Sequence, residues 1–135
     1  LGLRFRGSGL APTTVVISAR LQLAAGDPEA GQAELSEIVA WRRANQPGGQ
    51  NAGSVFVNPV PGEVSAGRLI DEIGLRGLRL GSATVSDKHA NFIQADEGGS
   101  SDDVRALMRI VADRVEAATG YALRSEIRLI GFDES

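Results

Sequence analysis

The segment between Ser100 and Gly120 constrains the fold more than any other part of the chain. Ser100, Ser101, Asp102 and Asp103 cap a helix start and complement the positive end of its dipole. Val104, Leu107, Met108, Val111 and Val115 then fall on one apolar stripe, and Gly120 supplies the stop. A helix with one apolar face has to bury it against a second layer. At 135 residues the chain is long enough for one ordinary domain with a real core.

Short β runs supply candidates for that layer. Thr13 to Leu23 is rich in β-branched residues and alternates through Ile17, Ala19, Leu21 and Leu23, which predicts a strand. Ala83–Ser86 and Phe92–Ala95 are short strand candidates, with a turn at Asp96–Gly99 and a glycine-punctuated loop at Gly77 and Gly81. Tyr121–Phe132 alternates Leu123, Ser125, Ile127 and Leu129 against Arg124, Glu126, Arg128 and Ile130, which predicts a final strand. Two further helices are expected. One runs from Pro28 to Asn45 behind an Asp27 cap, and one from Ser65 to Ile73 with Gly74 as its stop. The order predicts an α+β fold, a small mixed β-sheet with helices packed against it.

Charge and composition exclude several roles. Lys and Arg number 14 against 17 Asp and Glu, a net charge of -3, so no general nucleic-acid or membrane-binding surface is expected. There is no cysteine and a single histidine, His89, which excludes thiolate zinc and multi-histidine metal sites; no metal is expected. No apolar run reaches membrane-spanning length, and a cytoplasmic domain is the base expectation. The start Leu1-Gly2-Leu3-Arg4 reads as the interior of a longer polypeptide.

Chemistry is suggested first by Gly53-Ser54-Val55-Phe56-Val57-Asn58-Pro59. Chain-breaking residues fence a short apolar run and can hold the Ser54 hydroxyl at a strand end, aimed into a cleft; a plain turn hydroxyl fits the same residues. Glu126 reads alone as a solvated strand carboxylate between Arg124 and Arg128, Asn58 as a pre-proline turn residue, and His89 as a structural or surface side chain. Arg42 and Arg43 suit either a diphosphate or the negative end of their own helix.

Six motifs in register narrow these choices. They are Arg42-Arg43 with Gln46-Pro47; Ala52-Gly53-Ser54-Val55-Phe56 with Asn58-Pro59; Ala66-Gly67-Arg68-Leu69-Ile70; Gly74-Leu75 with Gly77; Val85-Ser86-Asp87-Lys88-His89-Ala90; and Glu126-Ile127-Arg128 with Ile130-Gly131. This order resembles the C-terminal half of the UDP-N-acetylenolpyruvoylglucosamine reductase (MurB) family. Phe5-Arg6-Gly7-Ser8 and the run after it look like the end of that family's flavin-binding region. The resemblance implies residues 1–24 as the end of an FAD-binding domain and 25–135 as the UDP-sugar domain. The remainder of the N-terminal flavin domain, its glycine-rich loop and the family's arginine would lie upstream. Val57 stands where many members carry a lysine.

The family chemistry, if carried over, sends hydride from reduced FAD, itself reduced by NADPH, to an enolpyruvyl ether in peptidoglycan precursor synthesis, and so serves cell-wall biogenesis, cell shape and division. By the match Ser54 protonates the α-carbon and Glu126 meets the substrate carboxylate. Asn58, His89, Arg42 and Arg43 would bind the UDP-sugar. The piece alone is expected to be inactive. The alternative is a non-catalytic nucleotide-sugar-binding or interaction module of the same fold.

Overall fold

The computed structural model describes residues 2–4, 7–11 and 13–132. The chain divides into two compact units, Leu1–Ala33 and Glu34–Ser135. In the first unit Arg4 and Gly7 form a bridge, each amide donating to the other's carbonyl at 3.0 Å. Phe5 and Arg6 of the flavin-region resemblance lie outside the described residues.

The strand expected over Thr13–Leu23 does not form. Residues 14–27 have no regular structure, with Val15, Ile17, Leu21 and Leu23 exposed. A strand is completed by ladder bonds to a neighbour, and among the described residues none pairs with this run. Its β-branched composition is a preference for a pleated, half-buried surface rather than a cause of one.

Helix α1 (Pro28–Asn45) has the expected bounds, and Asp27 Oδ1 accepts from the Glu29 amide at 2.9 Å. None of its residues is buried, and Leu35, Ile38, Val39 and Trp41 stay exposed.

The second unit holds β1 (Gln50–Ser54), α2 (Ala66–Glu72), β2 (Arg79–Leu80), β3 (Ala83–Val85), β4 (Phe92–Ala95) and α3 (Ser101–Thr119). The strands form one sheet in the order β1-β4-β3-β2. Every pairing is antiparallel, so the α+β expectation holds while the mixed sheet becomes a wholly antiparallel one. Short connections explain two of the three pairings: β2 and β3 are joined by two residues, Gly81 and Ser82, and β3 and β4 by six, and links so tight permit no parallel crossover. β2 was expected to be loop because two glycines flank a run of only two strand residues.

Caps and packing make α3 the anchor. Ser100 Oγ accepts from the Asp102 amide at 3.1 Å, and Gly120 closes the helix in the left-handed region at φ 76°. Leu107, Met108, Val111 and Val115 are buried against a core that includes Val55, Phe56, Ile70, Val85 and Ile93. Burying such a side chain contributes about 1.5–3 kcal/mol relative to leaving it exposed. Ser82 ties the hairpin to α3, its amide and hydroxyl both donating to Asp103 Oδ2 at 2.8 Å. Those bonds, the amide's first, hold the Asp103 carboxyl below the usual carboxylate range.

The final strand expected over Tyr121–Phe132 is also absent. The segment forms one isolated bridge, Phe56 to Ser125, flanked by Val57 N–H to Arg124 O at 2.9 Å and Glu126 N–H to Val55 O at 2.8 Å. Ser125 Oγ donates to Ile127 O at 2.8 Å, a local bond that competes with continued pairing. Leu123 and Ile127 still pack on the core, but Leu129 and Ile130 are exposed.

Candidate functional site

Ser54 ends β1 immediately after an irregularity. Gln50 and Asn51 pair with Ala95 and Gln94, but Ser54 pairs with Phe92, so the β1 side holds one extra residue. Gly53 takes φ +80° within this bulge, and its amide donates to Asn51 Oδ1 at 3.0 Å. A bulge bends its strand and re-aims the side chains beside it. Ser54 is consequently half-buried while Val55 and Phe56 are buried.

Beyond Ser54 the chain is gripped from two sides. On one side the Val55 amide donates to Asn91 O at 2.8 Å. The Asn91 carboxamide then takes both polar groups of Phe56, its Oδ1 accepting from the amide at 3.0 Å and its Nδ2 donating to the carbonyl at 2.8 Å. On the other side lie Arg124–Glu126. Half-buried Glu126, far from Ser54 in sequence, is thereby set opposite Val55, the residue that follows Ser54.

His89 joins the same neighbourhood through Asn91. The Asn91 amide donates to His89 Nδ1 at 3.2 Å, and the ring lies 4.7 Å from that of Phe92. With Nδ1 accepting, the neutral ring carries its proton on Nε2. Burial pushes the His89 pKa below its ordinary value, and the positive charge of Arg76 pushes it the same way. Arg76 grips the Asp71 carboxylate and the Asp87 carbonyl, fixing the turn that leads to His89. α2 passes beside both residues at Gly67, where a Cβ would make ordinary van der Waals contact, 3.4 Å from Asn91 Cβ and 3.5 Å from His89 Cε1.

The other candidates stand differently. Asn58 is exposed, and its Oδ1 accepts from the Ala66 amide at 3.0 Å, satisfying an orphan donor of α2. Arg42 and Arg43 are exposed in the last turn of α1. The Arg43 carbonyl accepts from Lys88 Nζ, which links that turn to the His89 loop. Asn91 went unmarked in the sequence, because both of its side-chain bonds reach Phe56, 35 positions away.

A cleft of about 250 Å³ opens between β1, β4 and the start of α3, lined in part by Val55, Ile93, Val104 and Ile127. Ser54 is not among its lining residues, so this apolar hollow is distinct from the proposed proton donor's position. The start of α3 does not fit the pyrophosphate of a flavin dinucleotide. The glycine pair that opens a long helix, Gly98-Gly99 before α3, is flanked by Asp96, Glu97, Asp102 and Asp103, and these acidic groups repel a phosphate where an anion site would need open amides. Among the described residues no group of three or more metal-ligating side chains assembles, and no helix is long and apolar enough to cross a membrane.

Fold and site together define an α+β domain that offers a half-buried hydroxyl on a bulged strand end, with a carboxylate on the adjoining segment. The family model for the UDP-N-acetylenolpyruvoylglucosamine reductase C-terminal domain matches residues 44–130, and the chain belongs to that family. The homonymous reductase of Heliobacterium modesticaldum is 47% identical over 118 residues, 87% of this chain and 37% of the relative. That of Gloeobacter violaceus is 44% identical over 134 residues, covering 97% of this chain and 45% of the relative. The crystal structure of the Thermus caldophilus reductase (MurB) superposes with a TM-score of 0.78 at 38% identity, over 95% of this chain and 45% of that one. The chain thus spans less than half the length of these relatives. The resemblance drawn from the motifs is borne out.

Proposed function

We propose that this chain is the substrate-facing C-terminal part of a UDP-N-acetylenolpyruvoylglucosamine reductase, a cytoplasmic oxidoreductase of peptidoglycan precursor synthesis that uses FAD and NADPH. Family membership supports the reductase reading. The residue assignment is supported by one observation, a bulged strand end that carries Ser54 directly before Val55, whose carbonyl accepts from Glu126 N–H. In this reading residues 1–24 close the flavin domain and 25–135 form the sugar-nucleotide domain.

Reduction of an enolpyruvyl ether adds hydride to the terminal carbon and a proton to the α-carbon. No described residue is assigned to hydride delivery, so this chain's share is the proton. Ser54 Oγ–H gives its proton to the α-carbon as the enolate-like electron pair forms the new C–H bond, and the alkoxide is reprotonated from water. A serine is a poor acid, yet the acceptor is a strongly basic carbanion, and a positioned acid contributes about 10²–10⁴-fold. Glu126 meets the substrate carboxylate in its neutral form or through an arginine from outside the described residues, because two anions together are costly. His89 offers its Nε2–H to the substrate, Asn58 its amide, and Arg42 and Arg43 their planar forks to the diphosphate.

The full-length protein supplied with NADPH and the enolpyruvyl nucleotide sugar is expected to consume the two in equal amounts, while this chain alone turns over neither. NADPH consumption that does not respond to the nucleotide sugar would overturn the reductase reading.

A further inference from the structure

We infer that Asn91 is a positioning residue for proton transfer, its carboxamide standing in for a missing ladder neighbour of the strand that carries Ser54. The inference rests on the reading of Ser54 as proton donor. The regular β1–β4 ladder ends at the Ser54–Phe92 pair. One step further, a side chain replaces the backbone: Asn91 Oδ1 accepts from Phe56 N–H at 3.0 Å and Asn91 Nδ2 donates to Phe56 O at 2.8 Å. This double exchange with one residue is the pattern of a hydrogen-bonded antiparallel pair. Asn91 is 5% exposed, so water does not compete for either bond.

The consequence falls on Ser54. Its strand has just been bent at the Gly53 bulge, and the segment beyond sets the direction in which Oγ points. Remove the carboxamide and Val55–Val57 keep the Asn91 carbonyl and the Arg124–Glu126 bonds but lose the brace on Phe56. The same residue's amide holds His89 Nδ1 at 3.2 Å, so two candidate site groups share one support. The requirement is narrow. An ionised aspartate lacks the donor, and glutamine carries its carboxamide one methylene farther from the backbone.

Asn91→Asp in the full-length enzyme tests this. Protonated, the carboxyl both donates and accepts and restores the clamp; ionised, it sets an anion against the Phe56 carbonyl. Burial raises such a carboxyl above its ordinary value of about 3.9. The expected result is a kcat near wild type at low pH that falls on the order of 10²-fold as the carboxyl ionises, with KM little changed. His89 and Glu126 are the titratable neighbours on the adjoining segments, and the wild-type profile over the same range accounts for them. A variant whose profile parallels wild type would overturn the inference. Ser54→Ala is run beside it: if that variant turns over normally, the proton-donor reading fails, whatever Asn91 does. Should Asn91→Asp fold poorly, amide exchange on wild type decides. Phe56 N–H exchanging as slowly as the β4 ladder amides supports the clamp, and exchange at the rate of exposed residues overturns it.

Discussion

Gly53 takes φ +80°, and a Cβ built on it meets nothing within 4 Å. Space therefore permits alanine while the backbone resists it. Gly53→Ala is expected to cost about 1–2 kcal/mol, the penalty an L-residue meets in the left-handed region, and to lower turnover by shifting Ser54. Denaturant unfolding measures the first effect and steady-state kinetics the second. This part of the site was legible in the sequence, because a glycine before a serine in a fenced apolar run has few conformations open to it. Asn91 was not: its value lies in two bonds to Phe56, 35 positions away, which local pattern does not reveal.

Elements divide by whether they carry their own boundary signals. α1 and α3 were readable from caps and stops, Asp27 and Ser100 at their starts and Gly120 at the end of α3, and α2 from the Gly74 stop, its Ser65 cap showing only in the structure. The runs at Thr13–Leu23 and Tyr121–Phe132 had strand composition, but a strand also needs an available edge, and composition does not supply one. Within α3, Leu107 is fully buried against the sheet. Leu107→Ala should cost about 2–5 kcal/mol through lost contact and the cavity left behind, read as a lowered denaturation midpoint. The turn around His89 predicts a pH dependence. Its folded pKa lies below 6.5, chiefly because burial disfavours the charged ring. The unfolded chain therefore binds the proton first as pH falls. His89's contribution is fully present above 6.5 and is lost as pH drops through its folded value. Unfolding measured across that window should show the loss in wild type and a flatter profile in His89→Gln.

At the scale of the whole molecule, the chain matches relatives more than twice its length. What its own residues contribute is a braced strand end, a hydroxyl on it, and a carboxylate on the segment bridged to the residue after it. The central claim is that this hydroxyl carries the proton. Full-length Ser54→Ala, compared with wild type, measures it most directly when reduction of the enzyme by NADPH and formation of the reduced nucleotide sugar are followed separately. The account predicts that the first is retained and the second falls by about 10²–10⁴-fold. Product formation at the wild-type rate would contradict it.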